Sequence, residues 1–334
     1  MPRIILLLAL ILASCSTEQP TVAPEPKVER LLVTVSDSSG SHIVHCDADG
    51  ANRTSVVAGM LISPPRDGRM LYTTGSALHI TSIDGSNDKV LLSGGAWEGL
   101  SFAEIAPDGQ SFIIVETHAG IDPAAPKRYR LAIRNIDGTS RREIAGDLQP
   151  GTGAEFSPDG SRIAFIAADR RLYAIRSDGS ARTVLTSPNS ENIQRSLAGA
   201  VPDWSPDGEL VLCAGLKLMT NSMVAHADGR DSAAYGLLDI GGTHPAWSPD
   251  GTRIVYGDFR KIVEGNFPGS VTRWVVDPSG GDPVSPRWSR DGIRVLFASY
   301  TYGRSTLHLM VGNLNNASVK KIDTSALNGY WVEG

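Results

Sequence analysis

Seven histidines are scattered along the chain, at His42, His45, His79, His118, His226, His244 and His308. His42 and His45 stand three apart in a stretch that reads as a strand, where they point to opposite faces and cannot make one metal site alone. The run "DADG" at 47–50 has the opening of a calcium loop but neither its length nor its terminal Glu, and is expected to be a turn. The chain has no Gly-x-Ser-x-Gly elbow, no Gly-x-Gly-x-x-Gly and no P-loop, so neither a nucleophile with its base nor a phosphate cradle is visible. No catalytic residue is assigned, and neither a metal nor another cofactor is expected. The formal charge of −5 and the lack of a long Lys or Arg run argue against nucleic acid as a partner.

Any site must be positioned by the repeat that fills the chain. One phrase recurs: "FSPDGSRIAFIA" (156–167), "WSPDGELVLCAG" (204–215), "WSPDGTRIVYGD" (247–258) and "WSRDGIRVLFAS" (288–299). Weaker copies are "IAPDGQSFIIVE" (105–116) and "ISPPRDGRMLYTT" (62–74), the latter with two extra residues before its Asp-Gly. The leading large residues, Ile62, Ile105, Phe156, Trp204, Trp247 and Trp288, are separated by 43, 51, 48, 43 and 41 residues. Each copy reads as a strand delivering a large apolar side chain, then a tight turn. Proline presets φ, Asp bonds the neighbouring backbone, and Gly accepts a positive φ. The turn pairs are Asp67-Gly68, Asp108-Gly109, Asp159-Gly160, Asp207-Gly208, Asp250-Gly251 and Asp291-Gly292. An Asp used identically once per repeat is structural before it is catalytic. The run after each turn is continuously apolar, as suits a strand buried on both faces. A more alternating strand and a second Asp-Gly follow, for example "YAIRSDG" (173–179), and a short strand closes the unit.

Four short antiparallel strands, A to D, at a period of 40–50 residues read as one blade of a β-propeller, and nothing in the mature chain reads as an amphipathic helix of useful length. Residues 31–59 supply strands B, C and D of a first blade without its strand A. At the other end one strand is left over, and its Trp331 lies 43 residues after Trp288, one blade period. The expectation is an all-β, seven-bladed propeller closed by the C-terminal strand pairing into the N-terminal blade, with six blades as the alternative. The turn phrase resembles the PD40, or TolB-like, propeller repeat of bacterial envelope proteins over residues 30 to the end. TolB proteins themselves carry six blades and an additional N-terminal α/β domain, for which this chain has no room, so their particular partners are not carried over.

The first residues, "MPRIILLLALILASCSTEQP", read as an export signal: Arg3, then an apolar stretch from Ile4 to Ala13. Leu12-Ala13-Ser14-Cys15 resembles the lipobox of bacterial lipoproteins, which implies cleavage before Cys15 and acylation of that residue. Ser16, where Asp would imply inner-membrane retention, favours the outer membrane facing the periplasm. The expected organisation is a signal peptide at 1–14, a Pro- and Glu-rich tether at 15–29 and the propeller at 30–334. Cys46 and Cys213 fall on different blades and are expected to be free.

The two long spacings both place their excess on the face opposite the Asp-Gly turns. Blade three inserts 118–130 between strands B and C, and blade four extends its link to the next blade over 187–203. Drift in tolerant loops is one account; a binding face is the other. On the second account the candidate residues are His118, Asp122, Lys127, Arg128, Tyr129, Asn192, Arg195 and His244. The favoured function is a monomeric, non-enzymatic scaffold that holds an envelope protein or peptide and meets the membrane only through its lipid. The alternative is a periplasmic enzyme of polysaccharide-lyase or hydrolase type with its site at the channel mouth.

Overall fold

The computed structural model describes residues 29–94, 99–118, 127–186, 201–213, 223–230, 243–258, 260–267, 270–276, 281–300, 307–323 and 325–332. The signal, the lipobox and most of the tether lie outside the described residues. So do Asp122, Asn192 and Arg195.

Each apolar run after an Asp-Gly turn is a strand with almost every side chain buried, as in Ser111–His118 and Arg162–Ile166. Such a strand needs apolar cover on both faces, which a single sheet lacks. The cover comes from neighbouring sheets. Seven antiparallel sheets stand around an axis, six with four strands and blade five with three among the described residues. The innermost strands are Ala326–Val332, Met60–Leu61, Gly99–Ile105, Ala154–Phe156, Asp203–Trp204, Thr243–Trp247 and Asp282–Trp288, for blades one to seven. The buried apolar side chains fall into seven clusters, each joining two adjacent blades. Stability is therefore a property of the interfaces rather than of any one blade.

The last strand closes the ring. Leu31 pairs with Trp331 and Leu32 with Tyr330, antiparallel, so strand A of blade one comes from the opposite end of the chain to its strands B, C and D. Trp331 packs against the cluster between blades seven and one. Trp204, Trp247 and Trp288 are buried, whereas Trp331 is only half-buried.

The turn phrase builds one recurrent hydrogen-bonded knot. The Ser hydroxyl donates to the Asp carboxylate at 2.5–2.6 Å in blades four to seven, and accepts the N–H five residues on at 2.9 Å. The Ser157 hydroxyl holds the Asp159 carboxyl down to about 2, so these aspartates stay ionised as turn-builders. Blade two differs. Its two extra residues make Asp67-Gly68 a two-residue hairpin loop, both at positive φ, closed by paired bonds between Arg66 and Arg69. "DADG" is the turn between Gly40–Asp47 and Thr54–Ala58, as expected, and the corresponding turn of blade six falls between Lys261–Asn266 and Ser270–Val276. Cys46 and Cys213 are free and buried in blades one and five.

A second device joins the blades. The indole N–H of Trp204, Trp288 and Trp331 donates across the interface to the carbonyl of Glu155, Ala246 and Arg287 at 3.0–3.1 Å. Over these indoles lie the guanidinium groups of Arg162, Arg253 and Arg294 from the preceding blade, 4.8–5.6 Å from the ring centroids. Trp331→Ala is expected to lower unfolding free energy by roughly 2–3 kcal/mol, the low end for a large aromatic because burial is partial. Trp331→Phe, which keeps most packing but loses the N–H, should cost about 1 kcal/mol. Urea denaturation of both variants checks the order.

Candidate binding channel

Side chains alternate along each innermost strand. In six blades the large marker residue packs toward the preceding blade; in blade two the order is reversed, with Leu61 in the cluster against blade one and Ile62 against blade three. The residue just before it faces the other way, toward the following blade and the axis. In those six blades that position reads Glu104, Glu155, Asp203, Ala246, Arg287 and Tyr330, and in blade two Ile62 lines the cavity instead. Three consecutive blades thus present a carboxylate at the same register.

These residues border a cavity of about 460 Å³ lined by residues of all seven blades. Six prolines, Pro64, Pro202, Pro206, Pro245, Pro249 and Pro286, give it rigid walls that offer no backbone N–H. Phe102, Ile62 and Val201 add apolar surface. Pro64, Pro206, Ser248 and Pro249 open the Asp-Gly turns, so the cavity reaches the turn face of the ring.

One oxygen of each carboxylate is fixed by the next blade. Glu104 accepts the N–H of Phe156 at 3.3 Å, Glu155 that of Trp204 at 3.2 Å, and Asp203 that of Trp247 at 2.6 Å. The cations nearby are sparse. Arg66 Nη2 stands 3.8 Å from Glu104, and Arg287 stacks 4.2 Å over the Tyr330 ring. Among the described residues no Lys or Arg nitrogen lies within salt-bridge distance of Glu155 or Asp203. Burial pushes the Glu104 carboxyl up to about 7, with Arg66 partly offsetting it, and pushes Asp203 up to about 7, partly offset by the Trp247 N–H and Arg287. Glu155, between them, is raised well above the ordinary carboxylate range, first by burial and then by repulsion from Asp203 and Glu104. His244 lines the same cavity at φ +49°, and burial, reinforced by Arg287, pushes its imidazole down to about 4, so it is neutral at physiological pH.

Of the residues expected to bind on the loop face, His244 belongs to this cavity. His118, Arg128 and Tyr129 lie where strands B and C of blade three end, with Arg128 opposite His118 and Tyr129 opposite Thr117. His118 contacts Glu116 at 3.2 Å, a buried carboxylate also held by Arg141 and Arg134. Lys127 and Arg128 are exposed, and Tyr129 packs on the cluster between blades three and four. The structure does not bring these four to the cavity. The channel residues Glu104, Glu155, Asp203, Arg287 and Tyr330 escape a reading of the sequence that follows only the turn phrase. The signal is there one position earlier: a polar or charged residue immediately before the large marker residue of an inner strand.

No family model matches the sequence, and no curated protein does. Solved structures match over most of the chain. TolB from Acinetobacter baumannii aligns with a TM-score of 0.56 at 15% identity, over 91% of this chain and 66% of that one. A protein from Lactobacillus plantarum aligns at 0.61 and 15%, over 92% and 100%. An oligogalacturonate lyase in complex with manganese aligns at 0.63 and 16%, over 85% and 86%. At such identities the likeness shows the fold alone: the chain is a seven-bladed β-propeller.

The raised channel acids impose a pH dependence on the fold. At pH below the unfolded-chain values of about 4, both states are protonated and the acids have no effect. As pH rises toward 7 the unfolded chain releases protons that the folded channel retains, so stability falls; above the folded values it levels off. The melting temperature is expected to fall from pH 5 to pH 8, and Glu155→Gln should reduce that fall and melt higher than the parent at pH 8. Thermal melts of both proteins at the two pH values check the sign.

Proposed function

We propose that the chain is a lipid-anchored scaffold of the bacterial envelope that binds a protein or peptide partner at its central channel. The observation that carries this reading is the channel itself: a rigid, proline-walled cavity lined from all seven blades, with polar groups fixed by the backbone of the next blade. Ligand sites of this kind combine apolar walls with a few oriented polar groups. The TolB-like fold supports the reading. Cys15 would carry the lipid, and the tether would hold the propeller off the outer-membrane surface in the periplasm. The outer contacts proposed for the same partner are His118, Asp122, Lys127, Arg128, Tyr129, Asn192 and Arg195 around the loop-bearing face.

A second reading has its own observation. Carboxyl groups raised to about 7 in a cleft suit general acid–base work, and one propeller of similar fold is an oligogalacturonate lyase. Among the described residues no group of three His, Cys, Asp or Glu is arranged to hold a metal ion. Incubation of the purified protein with oligogalacturonate and manganese separates the readings: unsaturated products would favour the enzyme.

Photo-crosslinking groups at 127, 128 and 201, used in living cells, are expected to capture one recurrent partner. Cys15→Ser is expected to abolish palmitate labelling and release the protein from the membrane fraction. Crosslinks confined to the outer edges of the blades, with none at 201, would overturn the channel as the site.

A further inference from the structure

We propose that the channel is a receptor for one basic side chain, a lysine or arginine carried on a peptide segment of the partner, whose cationic head is taken by Glu104, Glu155 and Asp203. The proposal rests on the binding function above and deepens it.

The three acids occupy one register on three consecutive innermost strands, each with one oxygen already held by a backbone N–H. Such fixed carboxylates form a concave anionic wall rather than a mobile cluster. The charges facing them are Arg66, at the Glu104 end, and Arg287, stacked on Tyr330 across the ring. His244 is neutral and adds no cation. With all three acids ionised, the wall carries more negative charge than these two arginines neutralise.

Two further atoms in the same cavity lack partners. Trp247 is 6% exposed, and its indole N–H meets no acceptor among the described residues, although the same atom of Trp204, Trp288 and Trp331 donates to the preceding blade. His244 Nδ1, sealed from solvent, is likewise unpaired. A donor and an imidazole nitrogen left unsatisfied beside a row of acids are costly unless something completes them. Both residues line the cavity, so an occupant that draws these side chains toward it can complete them.

The walls argue for a side chain rather than a bare ion. Lysine and arginine have long apolar stems that gain from burial against hydrocarbon, and Ile62, Phe102 and the prolines provide it. A cation among the acids favours their ionised forms, so binding expels the protons that burial retains there at neutral pH.

The test is calorimetry with acetylated, amidated tripeptides Gly-Lys-Gly and Gly-Arg-Gly, their norleucine and citrulline counterparts, and spermidine, all with the full folded protein. The basic peptides are expected to bind at least about tenfold more tightly than the neutral ones, to release protons, and to gain affinity from pH 5 to pH 8 before levelling off. Glu155→Gln and Asp203→Asn keep an acceptor for the Trp204 and Trp247 N–H groups and should stay folded, yet lose about tenfold in affinity and flatten the pH profile. Equal binding of lysine and norleucine peptides, no binding of any basic peptide at millimolar concentration, or unchanged affinity in folded Glu155→Gln and Asp203→Asn would overturn the proposal. Spermidine binding more tightly than both peptides would overturn the peptide as the source of the cation. A partner crosslinked at position 201 with no basic-peptide binding would sink this inference alone; no partner at any position would sink the binding function beneath it.

Discussion

A blade whose central strands are apolar on both faces cannot stand alone in water, so the ring depends on what joins one blade to the next. That joint is the inner strand. In every blade but the second, its large marker residue fills the cluster against the preceding blade. Where the marker is Trp204, Trp288 or Trp331, the indole also donates to the carbonyl of the residue before the previous marker. A guanidinium from the preceding blade covers the same ring. Because every interface needs two blades, the arrangement is complete only when the last strand returns to the first. Residues 326–332 do this, and remove the unpaired edge that blade one would otherwise expose.

The same strand that makes the joint also makes the channel. With a side-chain period of two, fixing the marker in the interface commits its predecessor to the other face. There the repeat is free to vary, and it does: isoleucine in blade two, then three acids, alanine, arginine and tyrosine around one ring. Burying three carboxyl groups side by side works against folding, and their raised pKa values record that cost. Each acid recovers part of it by accepting a backbone N–H from the neighbouring blade. Natural folds break their own local rules mainly where function needs it. The lapse at Trp247, whose indole alone among the four has no acceptor in the described residues, falls in the same cavity.

The contrast between two sets of acids is instructive. Asp159, Asp207, Asp250 and Asp291 sit in turns, satisfied by a hydroxyl and a backbone N–H, and their acidity is strengthened. Glu104, Glu155 and Asp203 sit in the channel, short of cations, and theirs is weakened. Both sets recur along the chain, but only the second faces a space that another molecule can fill. Propeller folds support binding and catalysis alike, so fold likeness cannot choose between them. The composition of the channel wall is the better guide.

Much of the fold was legible in the residues. The phrase from Phe156 to Ala167 and its copies fixed strand, turn and strand. The leftover Trp331, one period after Trp288, fixed seven blades and the mode of closure. Turn chemistry is local, and a repeat period survives in one dimension, so both can be read from a string of letters. The candidate site was less legible. His244, a candidate by its place near a loop, lines the cavity, whereas the acids stand 48–51 positions apart on strands with nothing local to join them. Their meeting depends on which face of each inner strand turns to the axis and on seven strands converging there. That convergence is a property of the closed ring. Sequence by itself determined the blades and how many there are; only tertiary structure decided that Glu104, Glu155 and Asp203 share one wall, because charge proximity arises from packing across blades and not from spacing along the chain.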